Sequence, residues 1–450
     1  MTPKERNGLN LKIAVASLGC AKNLVDTENM LGFLAQKGCE FVNEPEKADV
    51  IIVNTCAFIG DAKEESINTI LDMARFKEEG ACSLLVVTGC LAERYHDDIK
   101  RELPEVDAIV GTGDFAKICE VIDKAFSGEA VCMYGHSEDF TLSGMPRIVT
   151  TQPHSAYLKI AEGCDNKCTY CVIPSLRGRY RSRTIEDIVQ EAEHLAGSGA
   201  RELILIAQDT TCYGIDLYGS YKLAELLRQL CKVDGIKWIR VHYCYPEGIT
   251  DELLDTMASD SKILHYFDIP IQHASDSVLK RMGRNTSKDA LLALICKIRE
   301  KISDAVIRTS LIVGFPGESA EDFEELCDFV RETRMDHVGV FTYSKEENTP
   351  AAKLPNQIDK RTKQRRRDKL MAIAQEISFE KNSERIGSVL EALCEGFDEE
   401  SCLYVGRGYG DSIGVDSLVY FAAKREVNEG EFVNVKILCA QEYDLVGEEI

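Results

Sequence analysis

The chain has 450 residues and a formal net charge of −22 at pH 7, from 53 lysines and arginines against 75 aspartates and glutamates. Its length predicts two or three domains, and its acidity disfavours a protein that grips a nucleic-acid backbone. The sequence has no apolar run long enough for a membrane span. The segment Met1–Asn10 has no signal-peptide core, so we expect a cytoplasmic protein.

Residues 11–127 alternate between short apolar runs and helical segments, which predicts an open parallel sheet with helices on both faces. The predicted strands are Lys12–Ser17, Val50–Val53, Leu84–Val87 and Ala108–Val110, and the predicted helices include Val25–Gln36 and Ala62–Phe76. Residues 128–154 have little periodicity and several turn formers, so they are predicted to be a linker. These turn formers include Gly135, Ser137, Gly144, Pro146 and Pro153.

Residues 155–380 form a second, longer series of six strand–helix units, which predicts a partial (β/α)6 barrel related to the eight-stranded one. Its predicted strands are Ala156–Ala161, Leu203–Ala207, Trp238–Val241, Tyr266–Ile271, Ile307–Val313 and His337–Thr342. Two of the intervening helices are Ile185–Ala196 and Ala320–Arg331. The fold class is therefore predicted to be α/β.

Residues 383–450 change character, and their short strands with turns predict a small all-β barrel. The predicted strands are Val389–Glu395, Leu403–Arg407 and Glu431–Cys439. The segment holds five basic and fifteen acidic residues, a net charge of −10. Just before it, the run Lys360–Lys369 has seven basic residues and one acidic residue, and it is predicted to be a solvated helix face.

The chain has eighteen cysteines, which is a high number for a cytoplasmic protein. Disulfides are disfavoured in the reducing cytoplasm, so some of these cysteines are expected to be metal or cluster ligands. Cys164, Cys168 and Cys171 have the spacing C-x3-C-x2-C directly after a predicted barrel strand. Three thiolates suit three irons of a [4Fe–4S] cube, whose fourth iron stays open for catalysis. The alternatives are a chance group of core cysteines or a zinc site, which would need a fourth ligand.

A second set, Cys20, Cys56 and Cys90, lies two to three residues beyond three predicted strands of the N-terminal sheet. The carboxyl ends of parallel strands line one crevice, so these cysteines could converge. Gly19 and Gly89 permit tight turns beside them. The alternative is three independent buried thiols, since this region also contains Cys39, Cys82 and Cys119.

The C-x3-C-x2-C motif resembles that of the radical S-adenosylmethionine (SAM) superfamily. The resemblance implies that SAM chelates the open iron and that the reduced cluster cleaves it to a 5′-deoxyadenosyl radical, which abstracts hydrogen from carbon. It also implies that Tyr170 packs near the adenine. The Gly-rich segment Thr309–Glu318 would approach the cofactor through Gly314, Gly317 and Glu318.

With the N-terminal cysteines included, nearly the whole chain resembles the methylthiotransferase family. The resemblance implies a second [4Fe–4S] cluster on Cys20, Cys56 and Cys90, a radical SAM core over 155–380 and a TRAM domain over 383–450. Members replace C–H by C–S–CH3, with one SAM as methyl donor and another as radical source. The sulfur could be a sulfide on the open iron or an atom of the cluster, and we expect an electron donor such as a flavodoxin.

Four segments resemble the branch of the family that modifies the β-carbon of an aspartate in the S-twelve protein of the small ribosomal subunit. They read SLGCAKNLVDTE (Ser17–Glu28), IPSLRG (Ile173–Gly178), QDTTCYGIDLYG (Gln208–Gly219) and DIPIQHAS (Asp268–Ser275). The acidic C-terminal segment would attract such a basic protein and repel RNA, although it could also only aid solubility. The alternatives are modification of isopentenyl-adenosine in tRNA, which the charge disfavours, and a non-catalytic iron–sulfur protein that docks on ribosomes.

Several further residues sit where functional groups gather but have no assigned chemistry. Gln208 and Asp209 follow the second barrel strand and could position substrate or cofactor. Gln272 and His273 follow the fourth strand, where a site role and a structural role are both open. Two polar residues after Cys20, Lys22 and Asn23, could serve the N-terminal site, although a solvated lysine is the simpler alternative. The other twelve cysteines, including Cys212 and Cys244, are expected to pack as small apolar side chains.

Overall fold

The computed structural model of the chain describes residues 11–135 and 143–450. The N-terminal segment Met1–Asn10 lies outside the described residues, and so does Ser137 of the predicted linker. The chain divides into two compact units. The first contains the residues up to 150 together with 161–166 and 171–183, and the second contains 151–160, 167–170 and 184–450.

The first unit is built on a six-stranded parallel sheet. Its strands are β1 (Lys12–Ser17), β2 (Glu40–Phe41), β3 (Val50–Thr55), β4 (Leu84–Gly89), β5 (Ala108–Val110) and β6 (Val131–Met133), in the order β2-β1-β3-β4-β5-β6. Its helices are α1 (Ala21–Gln36), α2 (Gly60–Ala74), α3 (Phe76–Glu79), α4 (Cys90–Glu102) and α5 (Ile118–Phe126). Every residue of β3 and β4 is buried, as expected for strands covered on both faces.

The predicted parallel sheet is therefore confirmed, with two strands that the sequence pattern did not reveal. Strand β2 has only two residues, and β6 lies inside the segment predicted to be a linker. Strand β6 pairs with β5 in parallel. The same segment also returns to α1, because Thr150 and Arg147 bond to the buried carboxylate of Glu28.

The next part of the chain contributes to both units. It forms β7 (Ser155–Lys159), β8 (Ala161–Glu162), α6 (Ile173–Arg177) and β9 (Arg181–Ser182). Strands β8 and β9 pair antiparallel and belong, with α6, to the first unit. Strand β7 is the first strand of the second unit.

Six parallel strands of the second unit form the predicted partial barrel. The strands are β7, β10 (Glu202–Ile206), β11 (Trp238–Val241), β12 (Tyr266–Asp268), β13 (Val306–Val313) and β14 (His337–Thr342). The helices are α7 (Ile185–Gly197), α8 (Ile215–Tyr218), α9 (Leu223–Leu230), α10 (Asp251–Ser259), α11 (Asp276–Met282), α12 (Lys288–Lys301), α13 (Ala320–Thr333) and α14 (Lys360–Glu384). The sheets β7-β10-β11 and β12-β13-β14 are joined by a parallel bridge between Ile239 and Ile263. Among the described residues, no helix is long and apolar enough to cross a membrane.

The C-terminal part of the second unit is the predicted small barrel. Its five strands are β15 (Val389–Asp398), β16 (Leu403–Gly408), β17 (Val419–Ala422), β18 (Phe432–Ala440) and β19 (Leu445–Glu449). They close in the order β15-β16-β17-β19-β18. Its core includes Phe421, Val435 and Ile437.

A buried ion network joins the small barrel to the amino ends of the (β/α)6 strands. Glu202, the first residue of β10, accepts hydrogen bonds from Arg240 at 2.8 Å and from Arg407 of β16 at 2.6 Å. Although burial alone would raise it, the two guanidinium groups lower the pKa of Glu202 to about 2. The stability from this carboxylate is thus present above its ordinary pKa and is lost as the pH falls towards 2.

Replacing Arg407 by methionine is expected to destabilise the second unit by about 3–5 kcal/mol, because it leaves Glu202 buried with one partner removed. Arg425 offers a matched control in the same barrel, since it pairs with Glu431 and Glu449 at the surface. R425M should cost much less, because its ion pairs are exposed and screened by solvent. Urea unfolding followed by circular dichroism measures both, and equal effects would contradict a structural role for the buried network.

Candidate functional site

The three N-terminal cysteines lie at one edge of the parallel sheet, as predicted. Cys20 lies between β1 and α1, Cys56 follows the last residue of β3, and Cys90 is the first residue of α4 after β4. Strands β1, β3 and β4 are neighbours in the sheet, so the cysteines follow three adjacent carboxyl ends. The three sulfurs interact electrostatically, because negative charge on Cys20 or Cys56 acts to raise the pKa of Cys90.

Two glycines allow the backbone to come close to these cysteines. Gly19 has φ +93° and Gly89 has φ +91°, which is the left-handed region that other residues avoid. A Cβ on Gly19 would lie 2.9 Å from Cβ of Cys56. A Cβ on Gly89 would lie 2.2 Å from Oδ1 of Asn54, so the predicted close approach is confirmed.

Asn23 ties the loops of this edge together. Its side-chain amide donates hydrogen bonds to the carbonyl oxygens of Leu18 at 3.0 Å and Thr55 at 2.9 Å. These two residues lie just before Cys20 and Cys56, so one buried side chain fixes both loops. Lys22 is also buried, so the simpler alternative of a solvated lysine is wrong.

The N-terminal thiols differ in their surroundings. Cys20 is exposed, Cys56 is half-buried and Cys90 is buried. Burial raises the pKa of Cys90 to about 12, more than the nearby Arg177 guanidinium lowers it. Since iron and other soft metals bind the thiolate, filling this site must release protons.

The loop that carries Cys164 and Cys171 is tightly folded in the first unit. The backbone N–H of Cys164 donates to Gly178 O at 3.1 Å, and Sγ of Cys171 accepts the N–H of Ile173 at 3.4 Å. Gly163 has φ +81°, and a Cβ there would lie 2.0 Å from the carbonyl oxygen of Arg179. The turn before Cys164 therefore requires glycine.

Cys168 is held within the second unit. Its Sγ lies 3.0 Å from the hydroxyl of Tyr245, and the guanidinium of Arg284 stacks 3.9 Å from the centre of the Tyr245 ring. Burial raises the pKa of Tyr245 well above its usual range, so Tyr245 stays protonated. It can then donate to a thiolate at Cys168.

Each of the two cysteine sets offers only sulfur donors, which are the ligands that the irons of a [4Fe–4S] cube take. Among the described ranges, no group of three His, Cys, Asp or Glu side chains is placed to hold a single metal ion. The all-sulfur donor sets and the N–H donor at Cys171 suit iron–sulfur chemistry.

Tyr170 and the Gly-rich segment come together in the second unit. The Tyr170 ring packs edge-on against Phe315, with ring centres 6.4 Å apart. Gly314 has φ +74° and Gly317 has φ +80°, so the segment turns sharply after β13. Glu318 is buried and accepts hydrogen bonds from Phe315 N at 2.9 Å and from Arg366 at 2.8 Å.

Glu318 therefore holds the turn in shape. Arg366 belongs to the basic run Lys360–Lys369, which was predicted to be a solvated helix face. That expectation is wrong for Arg366, because its side chain is buried against Glu318.

The polar residues after β10 and β12 serve mainly their own loops. Asp209 is buried and accepts hydrogen bonds from Thr211 Oγ1 at 2.6 Å and Cys212 Sγ at 3.2 Å, while Gln208 beside it is half-buried. Gln272 has φ +73° and joins β13 through its backbone. His273 is fully buried, and burial lowers its pKa to about 3, so the imidazole is neutral.

The sequence matches three known families in chain order. Residues 12–111 match the uncharacterized protein family UPF0004, residues 158–330 match the Radical SAM superfamily and residues 386–450 match the TRAM domain. The chain is 53% identical to the ribosomal protein uS12 methylthiotransferase RimO of Lachnoclostridium phytofermentans, over 97% of this chain and 99% of the relative. It is 52% identical to RimO of Clostridioides difficile, over 97% and 98% of the two chains. The chain belongs to the RimO family.

Solved structures support the fold of this RimO family member. The radical SAM methyltransferase TsrM of Kitasatospora setae, with cobalamin and a [4Fe–4S] cluster bound, superposes with a TM-score of 0.56 at 13% identity, over 85% of this chain and 81% of that chain. The cobalamin-dependent SAM radical enzyme OxsB gives 0.52 at 12% identity, over 82% and 56%. At such low identity the likeness concerns the fold alone.

Sequence reasoning missed three residues of these sites and misjudged three cysteines. Tyr245 lies four residues beyond β11, at a carboxyl strand end where site residues gather, so its position was a usable signal. Arg177 and Arg284 had no such signal, because spacing does not reveal where a side chain points. The remaining cysteines do not all pack inside, since three of them are exposed: Cys296, Cys402 and Cys439.

Alanine at Gly163 is expected to prevent cluster assembly at the C-x3-C-x2-C loop, because its Cβ would meet a backbone carbonyl. About four of roughly eight irons should be lost after anaerobic reconstitution. Gly128 is a matched control, since it has φ +84° but nothing within 4 Å of a Cβ. Alanine carries the same left-handed strain at both sites, about 1–2 kcal/mol. Full iron in G163A would contradict the account of this turn.

Proposed function

We propose that the chain is a radical SAM methylthiotransferase that adds a methylthio group to the β-carbon of an aspartate in ribosomal protein uS12. The observation that carries the proposal is 53% identity to a RimO over nearly the whole of both chains. The three family matches along the chain support the same reaction class. None of these observations favours the two alternatives, which are modification of tRNA and a non-catalytic iron–sulfur protein.

We assign two cysteine sets to two [4Fe–4S] clusters: Cys164, Cys168 and Cys171 to one, and Cys20, Cys56 and Cys90 to the other. When bound, the first supplies the electron that cleaves SAM, and the second supplies a place for the sulfur to be methylated and transferred. The chain's own groups hold the sulfurs: the hydroxyl of Tyr245 contacts Cys168, and the N–H of Ile173 donates to Cys171.

SAM is proposed to bind along the carboxyl ends of the barrel strands. Tyr170, packed on Phe315, offers an aromatic edge for the adenine, and we assign the turn that contains Gly314 and Gly317 to the same cofactor. Glu318 keeps that turn closed through Phe315 N and Arg366. We place Gln208, half-buried after β10, among the residues that position the cofactor.

The reaction explains why the chain would carry redox cofactors. The β C–H bond of aspartate is too weakly acidic for an ordinary general base, so a radical must remove the hydrogen. The protein then has to exclude water from the radical. Apolar packing of Tyr170, Phe315 and Tyr343 beside the Gly-rich turn suits that task.

We assign residues 11–127 to sulfur transfer, 128–154 to the connection, 155–380 to the radical SAM core and 383–450 to the TRAM domain. The electron donor is proposed to be a small redox protein such as a flavodoxin. Since ribosomes work in the cytoplasm, the proposed function places the enzyme there.

The acidic TRAM domain is proposed to guide the basic substrate. Four exposed glutamates, Glu399, Glu400, Glu426 and Glu429, lie in the loops that connect its strands. Opposite charge on a partner raises the rate of encounter more than it strengthens the final complex. The same charges repel the phosphates of tRNA.

Mass analysis of products tests the proposed function. The full enzyme with SAM, reductant and uS12 should give a peptide in which a methylthio group replaces one hydrogen of an aspartate. C20A/C56A/C90A should give none, because the second cluster loses its ligands. C39A/C82A/C119A is the control, since it removes three other cysteines from the same unit and should keep the product. A methylthio group on tRNA, or product formation by C20A/C56A/C90A, would overturn the proposal.

Neutralising the acidic loops tests the role of TRAM. The variant E399Q/E400Q/E426Q/E429Q should bind uS12 about tenfold more slowly at low salt, and the difference should vanish at high salt because charges are screened. A control with the same change of charge is E64Q/E65Q/E78Q/E79Q, whose residues are exposed on the first unit. Stopped-flow fluorescence measures the association rate of each variant with uS12. Equal slowing in both variants would assign the effect to net charge alone.

A further inference from the structure

Arg177 is a buried cation of the first unit, at the end of α6 and six residues after Cys171. Its side chain is 2% exposed. Nη1 donates to Oδ2 of Asp26 at 2.9 Å and to Oε2 of Glu162 at 3.0 Å. Buried charges are costly unless every donor and acceptor is used, so the remaining contacts of this guanidinium carry information.

The second terminal nitrogen of Arg177, Nη2, points towards Cys90 of the N-terminal set. Nη2 donates to Oδ1 of Asn23 and lies 3.9 Å from Sγ of Cys90. The Cys90 thiol lies 3.7 Å from the same Asn23 oxygen. A protonated Cys90 can donate to Asn23, but a thiolate cannot, and Arg177 is then the N–H donor beside the sulfur.

The contact to Cys90 is more than an ion pair requires. Asp26 and Glu162 already provide two negative charges for one guanidinium. Asn23, which shares Nη2 with the sulfur, is also the residue that fixes the loops before Cys20 and Cys56. The side chain of Asn23 therefore connects Arg177 with Cys90 and with the loops that lead to Cys20 and Cys56.

We propose that Arg177 is a positioning residue that donates an N–H to the Cys90 sulfur of the N-terminal cluster and raises the reduction potential of that cluster. The inference rests on the proposed function, because it needs a cluster on Cys20, Cys56 and Cys90. Hydrogen bonds to the sulfurs and nearby positive charge favour the more negative, reduced cluster. Arg177 lies within the Radical SAM match, so this match contributes a residue to the N-terminal cluster as well.

The test isolates the N-terminal cluster in full-length protein that carries C164A/C168A/C171A. In this parent, R177M should lower the midpoint potential, measured by redox titration with electron paramagnetic resonance, and should alter the spectrum of the reduced cluster. R177K keeps the charge without the planar fork of donors, and its potential should lie between those of R177M and the parent.

Arg147 provides the matched control, because it is another buried arginine of the same unit. It pairs with the buried carboxylate of Glu28 at 2.6 Å, which also accepts a hydrogen bond from Thr150. R147M removes a buried ion pair and should destabilise the fold, yet it should leave the potential unchanged. This separates an effect on the cluster from a general loss of stability.

Each outcome decides between the two claims. A parent that binds no iron would overturn the second cluster and this inference with it. An iron-loaded R177M with the potential of the parent and of R147M would overturn the inference alone. Loss of the fold in R177M and R177K, with R147M intact, would assign Arg177 to folding and also overturn it. A lowered potential in R177M, partly restored in R177K, would support it.

Discussion

The parallel pairing of β1, β3 and β4 is the constraint on which the N-terminal site depends. The cysteines that follow these strands are 36 and 34 residues apart in sequence. In a parallel sheet every carboxyl end meets the same edge, so pairing alone brings the three loops together. Close approach then needs glycine at positions 19 and 89, where a Cβ would collide with a neighbouring loop. The site follows from the sheet, and any shift in strand pairing would separate its ligands.

Buried arginines fix the parts that the sheets leave free. Arg177 connects Asp26, Glu162 and the Cys90 region within the first unit. Arg407 and Arg240 clamp Glu202 and so hold the small barrel at the amino ends of the (β/α)6 strands. Cys168, a proposed cluster ligand, lies beyond the carboxyl end of β7. The clamp on Glu202 and the proposed chemistry therefore occupy opposite ends of that barrel, as is usual for the fold.

The sequence predicted the architecture well because periodicity and strand ends are local signals. Strands β1, β5, β11 and β14 have the predicted bounds, and both cysteine sets lie directly after strands. Strand β2 was missed because it has only two residues, and β6 was missed because it lies in a segment rich in turn formers with little periodicity. The buried pair of Glu202 and Arg407 could not be foreseen, since 205 residues separate its members. The contacts of the Arg177 side chain could not be foreseen either, because its partners Asp26, Cys90 and Glu162 come from three separate parts of the chain.

In the proposed mechanism, one cysteine set holds the cluster that generates a radical and the other holds the cluster that provides sulfur. The most direct test uses uS12 that carries deuterium at the β-carbon of aspartate, incubated with SAM, reductant and the reconstituted C20A/C56A/C90A variant. We expect deuterium in 5′-deoxyadenosine and no methylthio group on uS12. An iron-loaded variant that gives no deuterated 5′-deoxyadenosine, or that still forms the methylthio product, would contradict these roles of the two cysteine sets.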